Sequence, residues 1–148
     1  LQKGLLLLYT GLTRSAGDIL AEQTRNTQTD AERRQALRTM VKLAQELREA
    51  LTANDLASFG EILHQGWMEK KKMASGISNL QIDVWYERAR QHGAIGGKIT
   101  GAGGGGFLLV YAPPERHGEI LRALPELRPV PFRFEPQGSK IIYVEENT

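Results

Sequence analysis

The chain contains no cysteine, so neither a disulfide framework nor a thiolate metal site is available to it. It also lacks charge of one sign. Nineteen lysines and arginines oppose 17 aspartates and glutamates, and a formal net charge of +2 is too small an excess to signal nucleic-acid binding. Apolar runs such as Leu5–Leu8 fall far short of the ~20 residues that span a bilayer. No small-residue cleavage site follows that run, so it does not read as a signal peptide. Histidines are few, and His64, His92 and His117 have no partner at metal-ligand spacing. We read them as surface or edge residues and expect no metal site. These absences leave a protein of a reducing compartment, expected to be cytoplasmic, with neither membrane nor nucleic acid as partner.

What is present suits one globular domain over residues 1–148, with 41% apolar and 24% charged residues. Leu5-Leu6-Leu7-Leu8-Tyr9 is apolar on both faces and reads as a buried strand. A helix is expected over about 14–25. Thr29-Asp30-Ala31-Glu32 has the form of a capping box, and Leu37, Met40, Val41, Ala44, Leu47 and Leu51 then repeat with a 3.6-residue period. Asn54 is placed to cap a helix carrying Leu56, Phe59, Leu63 and Trp67, and Ser78 one carrying Ile82, Trp85 and Ala89 that ends at Gly93. Phe107–Tyr111 is a second buried strand, and Pro113-Pro114 opens a short helix to about Leu124. Val130–Glu135 and Lys140–Glu145 read as two more strands. Helices gathered in the first two thirds of the chain give an α+β class, with helices packed on a mostly antiparallel four-stranded sheet.

Between these blocks lies the stretch Gly96-Gly97-Lys98-Ile99-Thr100-Gly101-Ala102-Gly103-Gly104-Gly105-Gly106. Six of the ten residues from Gly97 to Gly106 are glycine, a composition costly to order and useful where backbone must approach a ligand or turn through positive φ. Consecutive free N–H groups in such a turn form an anion-binding nest. A glycine packing loop without a ligand fits the composition equally well. Two familiar motifs are excluded. Gly101, Gly103 and Gly106 match the dinucleotide spacing, but a strand follows where that motif needs a helix. Gly97-Lys98 is followed by Ile99 rather than the Ser or Thr of a phosphate-loop lysine motif.

The wider pattern decides. Ser75-Gly76-Ile77-Ser78-Asn79, Ile82-Asp83, Tyr86, Gly93-Ala94 and the glycine stretch through Phe107 resemble the third motif of the GHMP kinases, in its heptose-phosphate kinase form. Tyr9-Thr10-Gly11, Arg14-Ser15-Ala16, Ile19-Leu20, Trp67 and Lys70-Lys71 resemble other parts of the same C-terminal domain. The resemblance implies a ferredoxin-like sheet and ATP-dependent phosphoryl transfer to a sugar, at the anomeric hydroxyl of a heptose 7-phosphate. ATP and Mg²⁺ would be the cofactors. It places Gly96, Gly97, Lys98, Gly101, Gly103, Gly104 and Gly105 near nucleotide or substrate. The family's ATP phosphate loop and catalytic aspartate have no counterpart here. The chain is therefore expected to be the C-terminal half of a kinase, to pair with an N-terminal half of the same protein, to be inactive alone and to self-associate.

Arg14, Ser15, Lys70 and Lys71 are candidate contacts to a sugar phosphate. Ordinary capping by Ser15 and snorkelling by Lys70 explain those residues as readily. On the helical wheel Lys70 falls within the apolar arc of Leu56, Phe59, Leu63 and Trp67, Lys71 at its edge and Lys72 outside. Asp83 suits the first turn of a helix. Two other functions fit the same residues: a non-catalytic metabolite-binding module, and a protein-interaction domain.

Overall fold

The computed structural model describes residues 1–138. After a 3-10 turn at Gln2–Gly4 come β1 (Leu5–Tyr9), α1 (Ala16–Thr29), α2 (Ala31–Thr52), α3 (Leu56–Lys71) and α4 (Leu80–Gln91). Then follow β2 (Gly96–Ile99), β3 (Phe107–Tyr111), α5 (His117–Ala123) and β4 (Arg128–Pro129). The sheet order is β2-β3-β1-β4, every neighbouring pair antiparallel. This βαββαβ path, with three helices inserted into the first crossover, is the ferredoxin-like plan. The expected α+β class with helices on a four-stranded antiparallel sheet therefore holds.

The helices begin where short polar side chains occupy orphan N–H groups, each cap one residue later than the sequence patterns suggest or at the residue itself. Ser15 Oγ accepts from the Asp18 amide at the start of α1. Asp30, not Thr29, caps α2 by accepting from Glu32 and Arg33, because α1 continues through Thr29. Asp55, not Asn54, caps α3, and Asn54 takes φ 56° in the turn between the two helices. Asn79 caps α4 while Ser78 turns its hydroxyl to Asp83.

Two strand expectations need correction. Gly96–Ile99, read as part of a loop, is a strand paired with β3. Val130–Glu135 is not one: strand pairing stops at Pro129, Val130 N–H still reaches Leu7 O at 2.8 Å, and beyond it the Phe134 amide finds only a side chain, donating to Gln2 Oε1 at 3.2 Å. Pro131 has no N–H with which to continue the ladder. The expected strand Lys140–Glu145 lies outside the described residues.

Residues paired across an antiparallel ladder share a face. One face carries Leu8, Leu108, Val110 and Ile99 against Ile82, Trp85 and Ala89 of α4 and Ile120 and Leu124 of the α5 region; all are buried. The other face carries Leu5 and Tyr111 against Phe59 of α3, with Leu47, Leu63 and Leu109 only partly buried around them. The helix α3 comes unusually close to the sheet, because Gly96 lies under Gly60: a Cβ on Gly96 would sit 2.0 Å from the Gly60 carbonyl oxygen. No helix among the described residues is long and apolar enough to cross a membrane.

Candidate functional site

The C-terminal end of β1 and the turn between β2 and β3 are fastened together at one end of the sheet. Thr10, the one buried polar side chain of the described core, donates from both its amide and its hydroxyl to Gly106 O at 2.9 Å. The Gly106 amide in turn donates to Leu12 O at 2.9 Å, and the Gly104 amide to Ile77 O at 2.8 Å. The turn is thus clamped between the Leu12–Ser15 segment and the 3-10 turn Ser75–Ile77. On its far side that 3-10 turn is held by α1: the Ser75 amide donates to Glu22 Oε1 at 2.8 Å, a bond that holds the Glu22 carboxyl below its usual range.

The clamp explains much of the glycine. A Cβ on Gly104 would lie 2.8 Å from Gly76 O, and one on Gly105 2.4 Å from Leu12 O. Gly103 meets Ile77 in the same way. Gly101 differs: its φ is +77° and the space where its side chain would be is open. Among the described residues, the amides of Gly101, Ala102, Gly103 and Gly105 meet no backbone carbonyl. Arg14 borders the same turn, its Cγ 3.0 Å from where a Gly104 Cβ would stand, and among the described residues its guanidinium makes no hydrogen bond or ion pair. The exposed N-terminus of α1, capped by Ser15, adjoins it. Guanidinium, free amides and a helix N-terminus are a donor set for anionic oxygen rather than for a cation. Among the described residues, no group of three or more His, Asp or Glu could hold a metal ion.

The expected site residues divide into three groups. Arg14, Ser15, Gly101, Gly103, Gly104 and Gly105 gather at this turn. Gly96 and Gly97 lie in β2, packed under Gly60 and against Tyr86. The lysines separate as the helical wheel requires. Lys71 pairs with Asp83 at 3.0 Å, and Asp83 also accepts from Ser78 at 2.9 Å, which links Lys71 to the segment beside the turn. Asp83 sits in the first turn of α4, as expected. Lys70 Nζ donates to Gln23 Oε1 at 3.3 Å and faces a cavity shared with Lys98. Burial, then the neighbouring Lys98, holds Lys70 below the usual lysine value.

The expectation for His64 needs correction. It is not a surface residue but half-buried, with Nδ1 2.7 Å from Tyr86 Oη and the two rings stacked. Its sequence signal was weak because its partner lies 22 residues away on another helix. Burial is the largest influence on both groups, lowering His64 below its ordinary value and pushing the Tyr86 phenol up to about 12.

A ferredoxin-like sheet with a clamped, glycine-built turn matches the model of the C-terminal domain of GHMP kinases over residues 47–129, more than half of the chain, and the chain belongs to that family. Members of this family are phosphotransferases. The chain is 31% identical over 119 residues to D-glycero-alpha-D-manno-heptose 7-phosphate kinase of Campylobacter jejuni, covering 80% of this chain and 35% of that protein. It is 30% identical over 128 residues to L-fucokinase/L-fucose-1-P guanylyltransferase of Bacteroides fragilis, covering 85% of this chain and 13% of that protein. The fold matches the crystal structure of L. major mevalonate kinase in complex with R-mevalonate with a TM-score of 0.76 at 20% identity, over 84% of this chain and 40% of that one. The chain thus spans about a third of the heptose kinase and less of the fucokinase.

Proposed function

We propose that this chain is the C-terminal half of an ATP-dependent cytoplasmic sugar kinase that phosphorylates the anomeric hydroxyl of a heptose 7-phosphate. The observation that carries the reading is the donor set at the glycine turn: Arg14, the α1 N-terminus and the unpaired amides of Gly101, Ala102, Gly103 and Gly105. The likeness to the heptose kinase supports the choice of sugar over the fucose and mevalonate alternatives.

In this reading the turn binds phosphate oxygens of nucleotide or substrate. ATP supplies the transferred phosphoryl group, and its Mg²⁺ is held by phosphates and by an N-terminal half of the same protein. Lys71, tied through Asp83 to Ser78, is the lysine we assign to the acidic sugar. The exposed Leu80 (83%) and Val41 (55%) are apolar surface that an absent half covers, or through which the chain alone self-associates.

The test is a coupled ADP-release assay on the full polypeptide, offering heptose 7-phosphate, L-fucose and mevalonate in turn. Heptose 7-phosphate should turn over at least tenfold faster per unit concentration than either alternative. Lys71→Met should raise KM for the sugar phosphate by about 10- to 100-fold, since a charge-assisted bond to phosphate is worth roughly 1.5–3 kcal/mol. Preference for fucose or mevalonate, or an unchanged KM, defeats the assignment. Saturable sugar-phosphate binding by this chain with no turnover in the full protein favours the metabolite-binding module instead.

A further inference from the structure

The α2–α3 hairpin does not close onto the sheet. It leaves a cavity of about 180 Å³ lined by Met40, Leu43 and Leu47 of α2, Leu63 and Trp67 of α3, and two lysines, Lys70 and Lys98. The walls are apolar, and among the described residues the only charged groups that line it are those two ammonium-bearing side chains. Among the described residues, Lys70 reaches only a neutral amide oxygen, that of Gln23. Among the described residues, the Lys98 ammonium makes no hydrogen bond or ion pair. Two like charges held near each other at an apolar cavity, with no carboxylate between them, are an arrangement that an anion stabilises.

Gly66 points the same way independently. It lies inside α3 and lines the cavity, yet a Cβ there would meet nothing within 4 Å. Gly60, on the same helix, is required because a Cβ would meet Ile95 at 2.5 Å. A glycine inside a helix is unfavourable relative to alanine, and no packing contact requires this one. Position 66 borders the cavity and has open space where a larger side chain would go.

We infer that the α2–α3 cavity is a binding site for a small aliphatic monocarboxylate, its carboxylate held by Lys70 and Lys98 and its chain lying between Leu43, Leu47 and Leu63. A cavity of ~150 Å³ accepts a benzene-sized molecule, so this one accommodates a chain of about five or six carbons. The site is separate from the glycine turn and does not depend on the kinase reading.

The probe is hexanoate, titrated into the chain and followed by NMR shifts of the Met40 methyl and the Trp67 indole N–H, with hexanol and inorganic phosphate as controls. Hexanoate should saturate and shift both signals, with hexanol and phosphate each at least tenfold weaker. Lys98→Met should weaken hexanoate at least tenfold and leave hexanol unchanged. Gly66→Leu should fill the cavity and abolish binding while the circular dichroism spectrum stays that of the parent chain. Absence of a saturable shift overturns the proposal. So does hexanol matching hexanoate, which would make the cavity a plain apolar void, or phosphate matching it, which would make the lysines a phosphoryl site. Undiminished binding by Gly66→Leu would place the ligand elsewhere and overturn it too.

Discussion

The two faces of the sheet are finished in different ways. On one, Leu8, Leu108 and Val110 are wholly buried under α4 and the α5 region, and side chain meets side chain. On the other, α3 approaches through backbone contact at Gly60 and Gly96, while Leu7 and Leu109 beside that contact stay half-exposed and a cavity remains under the hairpin. The first face supplies the stability of a domain core. The second trades packing for a fixed helix–strand distance and open space, and it is where the lysines gather. Both converge at the glycine turn, whose position is set by β1 and β3, strands common to the two faces.

The contact at Gly96 is where this contrast breaks most readily. Gly96→Val would drive a branched side chain into the Gly60 carbonyl, and α3 must then lift off the sheet. Overpacking against flexible side chains costs about 1–3 kcal/mol, and a rigid backbone wall pushes the effect above that range. We expect loss of cooperative unfolding or a fall in stability of more than ~3 kcal/mol in urea titration. A variant with parent stability would mean that α3 is free to move and that the second face is loosely held.

Truncations sharpen the same contrast. Ile99→Ala on the closed face removes a side chain that is 1% exposed and should cost about 2–5 kcal/mol. Leu7→Ala on the open face removes a half-exposed side chain and should cost about 1 kcal/mol. Equal costs in parallel denaturant melts would show that the open face is covered by something the described residues do not include.

How far the sequence foretold all this also differs between regions. The helices were legible because apolar residues recur at helical period on α2 and α3, and because Asn, Asp and Ser stand at their starts. The choice among adjacent cap residues was not legible. At 29–30, 54–55 and 78–79 two candidates sit side by side, and which one caps depends on where the preceding helix or turn ends. The strand β2 was hidden because glycine is a poor strand former. It pairs there because only residues without side chains fit beneath Gly60 and against Tyr86, a reason that exists only in three dimensions. At the site, the clustering of glycine and the nearness of Arg14 and Ser15 were readable as a motif. The separation of Lys70 from Lys71 followed from the helical wheel, but Lys98 as the neighbour of Lys70 did not, since they are joined by tertiary packing alone.

The smallest expected effect concerns the seam between the two faces, where His64 of α3 meets Tyr86 of α4 beyond the edge of β2. Burial lowers the His64 pKa, helped by the positive charges of Arg90 and Lys71 and opposed by Glu61 and Glu87. The Tyr86 phenol stays protonated through the neutral range, and its Oη shares a 2.7 Å hydrogen bond with Nδ1 of the neutral ring. A histidine whose pKa is depressed on folding binds its proton first in the unfolded chain. Its contribution to stability is therefore complete above the ordinary histidine pKa of about 6.5. It is lost as pH falls below that value towards the folded pKa. Chemical denaturation of the parent chain and of His64→Phe, stepped from pH 8 to pH 5, isolates the effect from carboxylate titrations common to both. The parent should lose stability relative to the variant as pH drops below about 6.5. If the difference between the two is flat across the range, His64 titrates alike in the folded and unfolded chain.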